Sequence, residues 1–215
     1  MHRSILFTLL LLLPAVAGAQ SIASSALETR DGVYYLQGAE TPFSGAVEDP
    51  GQLTGRLENG RRVGRWTSWH DNGVKAWEYD YEAGVLTHRA IWHENGQLYT
   101  EGDFVAGQPA GLHKRWAPEG HVTEELHYRE GKLDGERIVY HPDGYVLLRS
   151  AYRAGQKDGT TIWYYPDGNP RWETQYTADL RSGTWTQRDP DGEVFMESTW
   201  EDGALVGRHS PHAEH

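Results

Sequence analysis

Residues 131–168 read GKLDGERIVYHPDGYVLLRSAYRAGQKDGTTIWYYPDG, and this stretch decides the fold. It contains one unit and most of the next. His141-Pro142-Asp143-Gly144 returns as Tyr165-Pro166-Asp167-Gly168, and Gly131-x-x-x-Gly135 returns as Gly155-x-x-x-Gly159, each 24 residues later. In the first pattern, proline suits the second position of a type I turn because its φ is already about −65°. The glycine then takes φ > 0 at little steric cost, which closes a hairpin with a bulge. The Gly-x-x-x-Gly pattern predicts a second reversal that starts the next unit. Between the turns, Tyr145–Tyr152 and Thr160–Tyr164 have strand length and are rich in aromatic and β-branched residues. Nothing beyond residue 19 reads as a helix.

The same punctuation runs outward in both directions. The glycines that close the first turn are Gly73, Gly96, Gly120, Gly144, Gly168 and Gly192, spaced 23, 24, 24, 24 and 24. The second series is Gly60, Gly84, Gly107, Gly131, Gly155, Asp179 and Gly203, spaced 24, 23, 24, 24, 24 and 24. Both slip once, so a residue is missing between Gly73 and Gly107. Asp179 and His88 stand where glycine is expected. Two series that keep step in this way establish an internal repeat. The expected fold is all-β: an elongated, single-layer antiparallel sheet of tandem β-hairpins, solenoid-like and without a single globular core. At ~4.8 Å per strand, six to seven hairpins extend roughly 60–70 Å.

Aligned units give columns. Before the first turn stand Trp69, Trp92, Trp116, Tyr140 and Tyr164, with Arg188 breaking the series. Three residues before the second turn stand Tyr81, Phe104, Tyr128, Tyr152, Tyr176 and Trp200. Three residues earlier again come Glu78, Glu101, Glu125, Arg149, Glu173 and Glu197. Strand side chains alternate between faces, so an offset of three sets the glutamate column against the second aromatic column. The expectation is one aromatic side and one acidic side per hairpin.

The unit Trp92-His-Glu-Asn-Gly96 or Tyr164-Tyr-Pro-Asp-Gly168, followed by Glu, Tyr and Gly-x-x-x-Gly, resembles the MORN-type repeat in its bacterial variant form. Gly32-Val-Tyr-Tyr-Leu36 followed by Thr41-Pro-Phe-Ser-Gly45 resembles the opening of such proteins. The resemblance covers about residues 32–208. It implies hairpin arrays that act as scaffolds or binding surfaces, and some members carry an antitoxin-component label. This chain departs from cytoplasmic antitoxins by its apparent export signal.

That signal is MHRSILFTLLLLLPAVAGAQ: a basic start, an apolar run to Leu13, and small residues at Ala17-Gly-Ala19. The apolar run is shorter than the roughly 20 residues a membrane span needs. The predicted organisation is a signal peptide at 1–19, a linker at 20–31, capping hairpins at 32–58, tandem repeats at 59–208 and a His-rich tail at 209–215. The expected location is periplasmic or secreted, with no transmembrane segment after signal cleavage.

The chain has 215 residues, with 20 Lys+Arg against 31 Asp+Glu and a net charge of −11. That balance argues against nucleic acid and anionic lipid as partners, since both need clustered positive charge. Cysteine is absent, which excludes disulfides and thiolate chemistry. No nucleophile elbow, metalloprotease helix or phosphate loop is present. No catalytic residue, cofactor or metal site is assigned. A repeat array gives every glutamate nearly the same surroundings, whereas catalysis needs one set apart. His70, His93 and His141 read as polar turn residues.

The candidate binding residues are therefore Trp69, Trp92, Trp116, Tyr140 and Tyr164, with Glu78, Glu101, Glu125 and Glu173. Large rings bury much area with few torsions lost, and carboxylates steer a basic partner. The expected function is binding of another protein, as a scaffold or an antitoxin- or immunity-like partner. The alternative is a cell-wall polysaccharide or peptidoglycan module that uses Trp69, Trp92 and Trp116 as stacking platforms. Self-association through sheet edges fits either reading.

Overall fold

A computed structural model describes residues 21–211. The predicted signal peptide and residues 212–215 of the His-rich tail lie outside that range. The described chain is a 15-stranded sheet in which each strand pairs with the next in sequence, plus a separate two-stranded hairpin. The hairpin is β1 (Leu27–Arg30) and β2 (Val33–Leu36). The long sheet opens with β3 (Gly45–Asp49), β4 (Leu53–Glu58), β5 (Arg61–Trp69), β6 (Lys75–Glu82), β7 (Val85–Trp92) and β8 (Leu98–Val105). It continues through β9 (Gln108–Trp116), β10 (Val122–Arg129), β11 (Lys132–Tyr140), β12 (Val146–Arg153) and β13 (Gln156–Tyr164). It ends with β14 (Pro170–Thr177), β15 (Leu180–Arg188), β16 (Val194–Glu201) and β17 (Ala204–His209). The only helical element among the described residues is a 3-10 turn at Ser24–Ala26.

The two reversals differ in construction. At the first, Gly144 N–H donates to His141 O at 2.8 Å and His141 N–H to Tyr145 O at 2.9 Å, with Gly144 at φ +90. At the second, the turn is two residues long. Glu130 (φ 50) and Gly131 (φ 78) join Arg129 to its direct partner Lys132. Two successive left-handed residues define a type I′ hairpin, whose twist matches that of the strands. Gly135, expected to end this turn, instead lies inside β11 at φ +119. Tyr128 pairs with Leu133 and Leu126 with Arg137, so His127 faces three residues, Asp134 to Glu136. The second glycine of Gly60–Gly64, Gly107–Gly111, Gly131–Gly135 and Gly155–Gly159 thus serves a bulge rather than the reversal, whereas Gly207 pairs directly with Thr199.

The bulge explains the slip in the repeat. In β7, Tyr81 pairs with Leu86 and Asp80 with His88, which leaves only Thr87 extra. The short unit loses its residue here. The left-handed position goes with it, and His88 takes the place of glycine without strain.

The amino-terminal end differs from the rest. Residues 24–30, within the stretch expected as linker, form the 3-10 turn and β1. Ile22 bridges Val47 in parallel and so covers the outer edge of β3. Of the expected capping hairpins, only β1–β2 stands apart; β3 and β4 belong to the long sheet. His209, expected in the tail, closes β17 opposite Glu197. A small local core forms under the cap, and the rest of the sheet has no single globular core, as expected. Val47, Leu57 and Trp66 are at most 2% exposed, with Ile22, Leu27, Tyr34, Phe43, Leu53, Trp77 and Tyr81 around them. A lone hairpin end cannot bury its apolar face against a next repeat, so the cap does so.

Directly paired residues project to the same side, so register assigns the faces. One side, the core face, carries Trp66, Trp77, Tyr79 and Tyr81 and continues through Phe104, His113, Leu126, Tyr128 and Tyr152 to Trp200. The other carries Glu78, Ala90 and Glu101, which pair in sequence.

Two positions test this construction. Gly60 has φ +70, and a Cβ there would meet Val33 Cγ1 at 2.4 Å and Tyr34 O at 2.8 Å. Gly73 has φ +80 but open space around it. Gly60→Ala is expected to destabilise the chain by about 1–3 kcal/mol more than Gly73→Ala, because it pushes the cap off the sheet. Paired denaturant titrations measure the difference. His113 gives the second test. Burial, with Arg89 adding to it, holds its imidazole below the ordinary value of 6.5, and Nε2–H donates to Asp103 O at 2.9 Å. The folded state therefore refuses a proton that the unfolded chain accepts below about pH 6.5. Stability falls as pH drops from that value toward the lower folded one. His113→Gln keeps an N–H for Asp103 and is expected to lose less stability than the parent between pH 7 and 5, read by urea midpoints.

Candidate binding surfaces

The face opposite the core face holds the sequence-predicted site. Trp92 lies two residues beyond Ala90, the partner of Glu78 and Glu101, and so shares their side. Trp116 shares a side with Lys114, the partner of Glu101 and Glu125. Tyr140 and Tyr164 likewise follow Ile138 and Ile162, which pair with Glu125 and Glu173. Trp69 follows Thr67, the partner of Glu78. The division into one aromatic and one acidic side is therefore corrected. The second aromatic column lies on the core face, while the first stands beside the glutamates.

Those glutamates are largely spoken for. Glu78 accepts Lys75 Nζ at 2.8 Å and lies 3.6 Å from Arg65; Glu125 accepts Lys114 Nζ at 2.9 Å. Glu101 lies 3.5 Å from His88 Nε2. Glu173 makes no ion pair among the described residues. Burial, with the Glu125 carboxylate adding to it, pushes the Tyr140 hydroxyl above its ordinary range. Lys75 Nζ sits 4.6 Å over the Trp92 ring.

Further negative charge sits next to this row, on the first turns, where only Asp143 has an ion-pair contact among the described residues, to His141 Nδ1 at 3.3 Å. Asp71, Glu94, Glu119, Asp143, Asp167 and Asp191 are all exposed, one per unit. The tips are tied to one another. His70 Nε2–H donates to Trp92 O at 3.1 Å and His93 Nε2–H to Trp116 O at 3.0 Å, and Tyr165 Oη–H donates to Arg188 O at 2.9 Å. Asn72 Nδ2 donates to Glu94 O at 2.8 Å and Asn95 Nδ2 to Pro118 O at 2.6 Å. His70 and His93 thus do more than tolerate water: they staple each turn to the next unit. The aromatic row and the acidic tips form one edge, at a step of roughly 10 Å per unit. The acidic half of that edge is in plain sequence as the residue before each Gly or Asn-Gly, but its placement beside the first column required the register.

The core face carries two further features. Glu124, neighbour of Glu125 in sequence, points to the opposite side and is 8% exposed. It accepts Arg115 Nη1 and Arg137 Nε, both at 2.6 Å. This carboxylate is set apart from its fellows, contrary to the expectation of uniform surroundings, because arginine occupies both flanking strands. The charges here are satisfied and the face is closed.

Further along, the same face opens into a groove of about 350 Å³ between Trp163 and Trp172 on one side and Tyr176 and Trp185 on the other. Thr174 and Gln187 also line it, with Lys157 and Arg181 at its margin. Thr174 stands where the unit two repeats earlier has Leu126. Lys157 Nζ lies 4.9 Å over Tyr176, and the Arg181 guanidinium 4.6 Å from Trp185 and 4.5 Å from Trp200. Trp163 and Trp172 meet edge to face at 5.9 Å, and Trp185 Nε1 donates to Gln175 O at 3.4 Å. Sequence reasoning placed Tyr176 in a column but did not single out this set.

Residues 157–177 match the family model described as MORN repeat variant. No curated protein matches the sequence. The matched span is the hairpin of β13 and β14, including the Tyr165-Pro-Asp-Gly168 turn, and the neighbouring hairpins reproduce its registers and bulges. The β13–β14 hairpin is therefore a MORN repeat variant, and the hairpins beside it share its construction.

Proposed function

We infer that the chain is an exported, non-catalytic binding array that docks a basic protein partner along its first-turn edge. The observation that carries this reading is the edge itself. Trp69, Trp92, Trp116, Tyr140 and Tyr164 are half-buried, and beside them run the exposed carboxylates of the turns. Half-buried rings supply area with little entropy to lose, and a row of like charge speeds encounter with a partner of opposite sign. The edge is pre-organised by its turn-to-turn hydrogen bonds, which lowers the cost of binding. A cationic partner is what an immunity-like or antitoxin-like neutraliser would hold. The export reading rests on the leader at 1–19. A saccharide platform on Trp69, Trp92 and Trp116 is less well supported, because Lys75 already covers the Trp92 ring.

The test is retention of extracellular or envelope proteins on the immobilised chain, beside the triple variant Asp143→Asn, Asp167→Asn, Asp191→Asn. A basic protein is expected on the parent, several-fold reduced on the variant and lost at about 0.5 M salt. Nothing above background, or equal retention on both, overturns the reading.

A further inference from the structure

The geometry points to a second binding site, the groove on the core face, which takes a carboxylated saccharide unit. This goes beyond the protein-docking edge and lies on the other side of the sheet from its aromatic row. The first observation is charge. In a chain of net charge −11, the groove is flanked by Lys157 and Arg181. Among the described residues neither side chain makes an ion pair. Nearby carboxylates are occupied elsewhere: Asp158 lies 3.7 Å from Arg153, and Asp179 accepts the Lys157 backbone N–H at 2.8 Å. The contrast lies on the same face, where Arg115 and Arg137 share Glu124. An anion brought by a ligand would do for Lys157 and Arg181 what Glu124 does there.

The second observation is shape. A volume of about 350 Å³ is at the lower end for small-ligand sites. Its walls are ring faces and edges. Trp172 is 38% exposed, so apolar indole remains open to stacking. A sugar ring offers a C–H face for such a wall and hydroxyls around its rim. The Gln187 amide, with no side-chain hydrogen bond among the described residues, and the Thr174 hydroxyl, which donates to Thr161 O at 3.2 Å and keeps accepting capacity, suit those hydroxyls. A purely apolar occupant would leave both polar groups and both cations unanswered. The cations are held over rings, so their position is set before the ligand arrives.

The experiment titrates the full mature chain with trigalacturonate and, separately, with neutral cellotriose, following tryptophan emission and heat. Trigalacturonate is expected to bind at least tenfold more tightly than cellotriose. Arg181→Gln and Lys157→Gln are each expected to weaken it about tenfold while leaving cellotriose unchanged, and Trp172→Ala to weaken both. Far-ultraviolet circular dichroism confirms that each variant keeps its sheet. No binding of trigalacturonate at millimolar concentration overturns the inference, as does equal affinity for cellotriose. So does a loss-free response to all three substitutions. A poly-glutamate peptide that binds as tightly, with the same sensitivity to Arg181→Gln and Trp172→Ala, reassigns the groove to acidic peptides and overturns it too. The triple turn variant used for the docking edge is expected to bind trigalacturonate like the parent, so the two sites fail independently.

Discussion

Two successive residues with φ > 0 join the strands at every second turn, as at Ala83-Gly84, Glu130-Gly131 and Ala178-Asp179. Everything else in the sheet depends on this. A two-residue type I′ turn admits one register, and a shift of one residue would carry every side chain to the wrong face. The positions are not all glycine. Alanine and glutamate accept a left-handed backbone at a cost of about 1–2 kcal/mol each, which the ladder on either side outweighs. Asp179 takes φ 68 in place of glycine and its carboxylate accepts the Lys157 backbone N–H, so the substitution brings its own hydrogen bond.

A fixed register turns a sequence period into columns, and the columns give the two faces different characters. On the core face, large rings and cations alternate with small residues, and local composition decides whether a stretch is closed or open. Near the cap, Val47, Leu57 and Trp66 close it with apolar packing. In the middle, the Arg115–Glu124–Arg137 set closes it with charge. Toward the carboxyl end lies a groove whose cations, Lys157 and Arg181, rest over rings and make no ion pair among the described residues. On the opposite face Glu78 and Glu125 are held by lysines, and a further row of exposed carboxylates stands at the turn tips. A thin sheet thus separates two surfaces of different chemistry with only the strand thickness between them.

The bulge ties the repeat's one irregularity to its geometry. Where a unit has 24 residues, one residue faces three and a glycine takes the left-handed position. Where it has 23, the excess falls to one and the requirement disappears. His88 then faces Asp103 at 2.7 Å rather than straining the backbone. Bulges also strengthen local twist, and the shorter one leaves the pairing of β6 with β7 unbroken.

The sequence by itself determined the period, the alternation of two turn types, the all-β class and the separation of the glutamate column from the second aromatic column. These are local properties: turn chemistry acts over four residues and side-chain alternation over two. Only the tertiary structure decided that Trp69 and its successors stand beside the glutamates, since that relation crosses a turn and a register shift. Only the fold made residues 24–30 part of the cap, because an isolated short strand acquires its role from what it covers. The groove at Trp163, Trp172, Tyr176 and Trp185 belongs to the same class. Its rings come from three strands, and the space between them is a property of packed volume that no column of letters contains.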